Sequence, residues 1–344
     1  MVRILVLVAA ALPTQVRAGT PDDAAAEWVK KVNGKVERDD KLPGRPVVRI
    51  DLDERVFKED DLKVLAGLKH LRSLSLWETY LSDAVVPHLK GLPLEHLCVG
   101  GTDITDRGLK EIAGLRTLES VDLSGTRVSE DGLKVLTEMP NLRRLSVFGL
   151  QRDSALTDKG FRIIAGIKGL RSISLSASNV TGAGVRELSR LKALTELNLD
   201  CSKLTDADMK DVAAISTLTD LDLRAAPITD AGVKELASLK GLERLSLYQV
   251  KTVTGVGLKH LAGLEKLKVL VLPESGLTDA GLKEIAGLKH LTQLDIVATR
   301  ATDAGIKELK TLSELTELYL ALTKVTPEGR AALRKALPKC NIRD

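Results

Sequence analysis

The chain repeats itself about every 24 residues. The string TDRGLKEIAGLRTLESVDL at 105–123 returns, nearly unchanged, as TDAGLKEIAGLKHLTQLDI at 278–296. A catalytic motif is usually used once, whereas a string that recurs at a fixed period is architecture. The pattern L-x-x-L-x-L begins at residues 71, 94, 118, 142, 170, 194, 218, 242, 267, 291 and 315, and VVRIDL at 47 is a degenerate first member. The spacing is 24 except after 71, 142 and 242, where it is 23, 28 and 25.

Each unit reads alike. The L-x-L alternation predicts a short strand with one buried face. Thr or Ser follows two or three residues later, at Thr79, Thr102, Thr126, Ser178, Ser202, Ser275, Thr299 and Thr323. Next comes an apolar residue and then T-D-x-G. The Thr oxygen suits a helix N-cap, and the Asp beside it suits the positive end of the helix dipole. Thr326-Pro327-Glu328 is the same cap with Pro at the first helical position. L-K-x-[LI]-A then sets apolar groups at i, i+3 and i+4, one stripe of a two-turn helix. Gly114, Gly166, Gly263 and Gly287 are placed to end their helices.

A helix this short is unstable alone. One unit cannot bury its own Leu face, but stacked units can, at roughly 1.5–3 kcal/mol per buried Leu. The expected fold is therefore an α/β solenoid. A βαβ unit needs about 30 residues or more, so a doubly wound sheet fits poorly. A (β/α)₈ barrel closes at about eight units, and here eleven follow the first strand.

The consensus L-x-x-L-x-L-x-x-T-x-[VIL]-T-D-x-G-L-x-x-L-A, which covers about 47–330, resembles that of leucine-rich repeat proteins, the ribonuclease-inhibitor-like solenoids. The T-D-x-G-L form is similar to the cysteine-containing subtype of F-box receptor subunits. Thr or Ser stands here where that subtype has Cys, and the region before the repeats has no room for an F-box. The resemblance implies a curved solenoid, with a parallel sheet of about 12 strands on the concave face and short helices on the convex side.

The first residues, MVRILVLVAAALPTQVRA, read as a secretory signal peptide. Arg3 gives the positive end, Ile4 to Leu12 the short apolar run, and Val16-Arg17-Ala18 the small-residue cleavage site. The run is too short to span a bilayer, and no later stretch is a membrane-helix candidate. The expected organisation is 1–18 signal peptide, 19–46 N-terminal cap, 47–326 repeats and 327–344 C-terminal cap. DDAAAEWVKKV is expected to form a short helix anchored by Trp28, and PEGRAALRKALPKCNI a last helix and closing strand through Cys340 and Ile342. Both seal the ends of the stack. The expected location is exported: periplasmic, cell-surface or extracellular.

The formal charge is +4, from 51 basic and 47 acidic residues. Cleavage after Ala18 removes two arginines and no acid. The signs alternate, which describes a solvated surface and not a nucleic-acid footprint. The three cysteines, Cys98, Cys201 and Cys340, are an odd number, which excludes a fully paired framework in an exported chain. The repeat register separates Cys98 and Cys201 by four units, beyond disulfide reach. All three read as free small hydrophobes.

The chain lacks G-x-S-x-G, H-E-x-x-H, a phosphate-binding G-x-x-x-x-G-K-[ST] and C-x-x-C. Gly255-Val256-Gly257 falls in repeat register as a helix start. His96 and Cys98 alternate on one strand face near Asp122, and three such groups could hold a metal, but a site needs convergent geometry and this is one coincidence among many concave pairs. Asn179-Val180-Thr181 matches a glycosylation sequon. No catalytic residue, metal or cofactor is expected.

The concave positions hold the remaining signal. Counting the strand from its first Leu, position seven carries Trp77, Phe148 and Tyr248, in a chain with eight aromatic residues. These are the three repeats of irregular length, and the longest adds QRDS after its strand. Insertions in a solenoid map to one face, often the binding face, and aromatics dominate interface hot spots. Trp77, Phe148, Tyr248 and Tyr319 are expected to anchor a partner there, or else each ring packs under its own loop. Asp200, Asp220 and Asp222, with Glu196, are expected to form an acidic patch beside Arg224. Asp200, Asp222 and Arg224 join the aromatics as candidate partner-binding residues. The expected function is a non-catalytic scaffold that binds another protein as a monomer. The alternatives are an intracellular F-box-like adaptor of a ubiquitin ligase, and a hydrolase using the acidic patch.

Overall fold

The computed structural model describes residues 19–150, 156–176, 179–200 and 203–343. The expected signal segment 1–18, the QRDS insertion, Ser178, Cys201 and Ser202 lie outside the described residues.

The strands are β1 (Lys35–Arg38), β2 (Val47–Asp51), β3 (Ser73–Ser75), β4 (His96–Cys98), β5 (Ser120–Asp122), β6 (Arg144–Phe148), β7 (Ser172–Ser176), β8 (Glu196–Asp200), β9 (Asp220–Asp222), β10 (Arg244–Ser246), β11 (Val269–Val271), β12 (Gln293–Asp295), β13 (Glu317–Tyr319) and β14 (Asn341–Arg343). They form one 14-stranded sheet in sequence order. Every pairing from β2 to β14 is parallel, and β1 alone pairs antiparallel, with β2. The repeat pattern anticipates about 12 strands. The two extra ones seal the ends: β1 folds back on the first repeat, and β14 follows the last helix.

The register is set by the fourth strand position. Leu74, Leu97, Val121, Leu145 and Ile173 are successive partners in one column. Leu197, Leu221, Leu245, Leu270, Leu294, Leu318 and Ile342 continue it. All are buried. The irregular repeats keep this column, because 28 residues separate the paired Arg144 and Ser172 and 25 separate Arg244 and Val269. A shift of one residue would turn the whole aliphatic row to solvent, so the extra residues are absorbed in loops.

On the other side of each unit lies a short helix. Asp106–Ile112, Asp158–Ile164 and Asp279–Ile285 are α-helical over seven residues. Glu59–Leu65, Gly132–Glu138 and Val256–Gly263 are 3₁₀ throughout. Most of the expected Thr caps form: Thr105 Oγ1 accepts from the Arg107 amide at 3.2 Å, and Thr326 Oγ1 from the Gly329 amide at 3.1 Å, while Thr181 makes no side-chain cap bond. The expected glycine ends differ. Gly114 and Gly287 follow helices still right-handed at Ala113 and Ala286, and their amides donate back to Glu111 O and Glu284 O at 3.0 Å. Gly166 does the same to Ile163 O at 2.9 Å, and Gly263 is the last residue of its 3₁₀ helix. At these four glycines the helix tightens straight into the next strand with no left-handed cap, whereas Gly67 and Gly91, just past the helices ending at Leu65 and Leu89, are left-handed with φ of 92° and 84°. Left-handed residues also follow the strands, with φ of 69° at Gly101 but also 53° at Glu78 and 58° at Leu322.

Where a buried Thr follows the strand, it closes that turn. Thr79, Thr126 and Thr299 donate to the carbonyls of Leu76, Leu123 and Ile296, each at 2.7 Å. The Asp of T-D-x-G does more than face a helix dipole. Asp83 accepts from the Thr105 amide at 2.8 Å and the Thr105 hydroxyl at 2.7 Å, both in the next repeat. Asp106 holds Ser129 in the same way, Asp158 Thr181, Asp206 Thr229, Asp230 Thr254, Asp279 Thr302 and Asp303 Thr326. Glu59 and Glu130 replace Asp at two further joints.

This bridge explains the motif's glycine. A Cβ on Gly108 would lie 2.2 Å from Asp83 Oδ1, and one on Gly329 2.1 Å from Asp303 Oδ1. Two repeats carry Gly in place of the Asp, at Gly182 and Gly255. There Thr205 turns to Asp208 of its own repeat, at 2.8 and 2.7 Å, and the Thr278 amide donates to Thr254 O at 3.1 Å. Burial alone would raise the Asp83 carboxyl, but the Thr105 amide and hydroxyl and the Arg107 guanidinium hold it below its ordinary value.

The ends close as caps. Thr20 and Asp23 form a capping box that starts the helix Pro21–Lys31. It buries Ala25, Ala26 and Val29, while Trp28 sits half-buried, edge-on to Phe57 at 5.5 Å. At the other end, the helix Pro327–Ala336 leads into β14.

Leu294→Ala opens a cavity between stacked units and is expected to cost roughly 2–5 kcal/mol in chemical denaturation. Thr292→Ala, at a half-exposed site, is expected to cost about 0.5 kcal/mol or less; equal costs would contradict the register. Asp83→Ala is expected to cost roughly 1.5–3 kcal/mol. Gly108→Ala should disrupt the same bridge, so the double variant should lose less than the sum of the two singles. Strict additivity would separate the glycine from the bridge.

Candidate functional site

Strand alternation points positions three, five and seven away from the buried column. In β3, β4, β5, β9, β12 and β13, residues three and five are half-exposed around a buried fourth. The apolar residues of the helices share one core with the buried strand positions, on the opposite side of the sheet from these side chains. The face is a broad, open ladder.

The four expected aromatic anchors are spread along it. Trp77 follows β3, Phe148 ends β6, Tyr248 follows β10, and Tyr319 lies in β13. With strands about 4.8 Å apart, neighbouring rings in this series are roughly 14–19 Å apart, so they do not form one cluster. All four are half-buried, and three are engaged locally. The Trp77 indole fills the space above Gly100 in the next repeat, where an added Cβ would lie 2.2 Å from Trp77 Cζ3. The Tyr248 hydroxyl donates to Glu274 Oε1 at 3.1 Å, which raises its pKa. The Arg343 guanidinium lies 5.3 Å from the centre of the Tyr319 ring while its Nε reaches Glu317 at 3.1 Å. The Phe148 amide donates to Ser124 Oγ at 3.0 Å.

The charged candidates are brought together. Glu196 pairs with Asp220 and Asn198 with Asp222 across β8 and β9. Arg244 pairs with Asp220 across β9 and β10. Arg224, an exposed side chain, folds onto Asp222 Oδ2 at 2.8 Å, and its own amide donates to Asp222 Oδ1 at 3.0 Å. Asp200 ends β8, one strand from Arg224.

Between these strands lies a shallow depression of about 220 Å³, lined mainly by Ser174, Glu196, Asn198, Asp220, Asp222 and Arg244. A second, of about 350 Å³, shares Glu196, Asp220 and Arg244 and runs on toward Val269 and Thr292. Arg244 Nε is 3.6 Å from Asp220 Oδ2. Burial pushes the Asp220 carboxyl above its ordinary value; Arg244 opposes this, while the charges of Glu196 and Asp222 add to it. Burial also raises Asp295 on β12. Asn198 Oδ1 is buried with no hydrogen-bond partner among the described residues.

The centre of this group is thus Asp220 and Arg244 with Asn198, not the Asp200–Asp222 pair on which a hydrolase would rely. The signal was present in the sequence as a column: position three reads Glu196, Asp220, Arg244 in consecutive repeats. All these carboxylates stand on an open sheet.

His96 and Cys98 do not assemble a metal site. The His96 ring meets the Arg144 guanidinium at 3.1 Å, and burial followed by that charge lowers its pKa. Burial pushes the Cys98 thiol up to about 11. No grouping of three metal-ligating side chains occurs among the described residues. Cys98 and Cys340 are free. No helix among the described residues is long and apolar enough to cross a membrane.

A family model for the Leucine Rich repeat matches residues 93–113 and 214–237. No curated protein matches the chain. Among solved structures, an internalin (inlF) from Listeria monocytogenes is 20% identical and aligns over 94% of this chain and 95% of that one, with a TM-score of 0.57. A leucine-rich repeat protein of Leptospira interrogans is 19% identical over 82% and 87%, with a TM-score of 0.46. Internalin C2 of Listeria monocytogenes is 25% identical over 61% and 83%, with a TM-score of 0.44. The likeness to inlF is one of fold.

Gly100→Ala is expected to push the Trp77 ring off its seat. In a Trp28→Phe background, which leaves Trp77 as the one indole, emission should shift to the red. An unchanged spectrum would mean that Trp77 does not rest on Gly100.

Proposed function

We propose that this leucine-rich repeat solenoid is a non-catalytic, exported scaffold that binds another protein across its concave sheet. The observation that carries the reading is the uncovered face itself. Among the described residues, its strands keep polar and aromatic side chains half-exposed along the length of the stack. A surface built from many equivalent short strands suits extended contact with a macromolecule. Asp220, whose carboxyl burial raises, has the Arg244 guanidinium 3.6 Å away, which favours the ionised form over that of a general acid.

Trp77, Phe148, Tyr248 and Tyr319 act in this proposal as separate anchor points, with Asp200, Asp222 and Arg224 giving charge specificity at the middle. Rings already seated on a neighbour lose little side-chain freedom on binding, which favours a preorganised surface. Export rests on the composition of residues 1–18, with cleavage after Ala18 and a monomeric mature chain.

The test is a comparative capture. The full chain is immobilised beside two variants whose folding is checked by circular dichroism. One carries Trp77→Ala, Phe148→Ala, Tyr248→Ala and Tyr319→Ala. The other carries Lys259→Ala and Lys283→Ala on the exposed helical side. The expected result is a partner held by the parent chain and the helix-side variant and lost by the aromatic one. Equal capture by all three would overturn the concave assignment. Sequencing the native N-terminus should find Gly19 first; a chain beginning at Met1 would overturn export.

A further inference from the structure

The concave face over β8–β10 has a chemistry more specific than the general binding role, on which this inference rests. The chain as a whole is +4. On these three strands, four carboxylates, Glu196, Asp200, Asp220 and Asp222, stand against two guanidiniums, Arg224 and Arg244. Arg224 is committed to Asp222 at 2.8 Å. Arg244 stands 3.6 Å from Asp220, beyond hydrogen-bond range. The patch is therefore locally negative on a positive chain, and its surplus lies around Glu196 and Asp220.

The shape matches the charge. The two depressions join through Glu196, Asp220 and Arg244 and run across the strands from Ser172 to Thr292. Their walls offer acceptors in excess: the carboxylates of Glu196, Asp220, Asp222 and Glu243 and the Ser172 and Ser174 hydroxyls, against the cations of Arg244 and Lys268. Burial and like charge already work against the ionised form of Asp220, and an entering cation would relieve both neighbours at once. An acidic segment would meet repulsion here, and a neutral one would leave the charge uncompensated.

We infer that this groove receives a basic segment of the partner protein, with a lysine or arginine side chain seated between Glu196, Asp220 and Asp222 and donating to their carboxylates. The flanking depression toward Thr292 takes the next residues of the same extended segment.

The experiment titrates the full chain into three fluorescein-labelled octapeptides, octalysine, octaglutamate and a neutral Gly-Ser octamer, and follows fluorescence anisotropy at low and at physiological salt. Octalysine is expected to bind, and more weakly as salt rises. The variant Glu196→Gln, Asp220→Asn, Asp222→Asn should weaken it by about tenfold or more. A control of equal charge change, Glu27→Gln, Glu138→Gln, Glu265→Gln, lies at exposed positions off the concave strands and should leave it within about twofold. Circular dichroism melts confirm that both variants fold. Equal weakening by the two variants would mean diffuse attraction and overturn the site. Binding of octaglutamate or the neutral octamer as tight as that of octalysine, or no binding of octalysine at all, would overturn the basic class. If octalysine fails while the aromatic concave variant still loses its captured protein, the charge assignment falls and the scaffold function stands.

Discussion

No single unit of this chain can bury its own apolar face, and the rest of the structure follows from that. Each repeat presents an aliphatic strand position and a stripe of Leu and Ile on a helix of two turns or less. Neither is covered until the next repeat is laid against it. The core is therefore one continuous column of Leu, Val and Ile from β2 to β14, and the sheet register is the register of that column. Insertions that leave the column alone are tolerated, as in the 28-residue separation of Arg144 and Ser172.

Burial alone would permit neighbouring units to slide or splay, since it has little direction. Two polar ladders prevent this, one on each side of the stack. The strand ladder joins the units on the concave side. On the other side, a carboxylate from most units grips the cap residue of the next, by its amide and its hydroxyl, as Asp83 grips Thr105. The carboxylate also sits where the following glycine has no side chain. One four-residue motif thus caps its own helix, holds the next unit and makes room for the previous one. At Gly182 and Gly255 the forward carboxylate is missing, and the next Thr finds a partner in its own repeat or on the backbone.

The sheet that results is finished on one side only. Its concave positions are free to vary because no core depends on them, and they carry the chain's individuality: rings at wide spacing and one compact group of opposed charges over β8–β10. Trp77 shows how the two roles meet. Its ring is seated on the backbone of the next repeat at Gly100, so it is packed and still part of the face.

The sequence by itself determined the solenoid, its period, the strand register, most of the threonine helix caps and the helices near both ends. These are local, repeated features, and each copy of the motif reports the same geometry again. Tyr319 and Asp222 could likewise be placed on the concave face, because alternation along a strand is local too. What only the tertiary structure decided lies between repeats. The forward bridge from Asp83 to Thr105, the seat of Trp77 on Gly100 and the grouping of Asn198, Asp220 and Arg244 all join residues about one period apart. Their distances depend on how two units stack, and a side chain's reach across that gap is set by packing rather than by its place in the repeat.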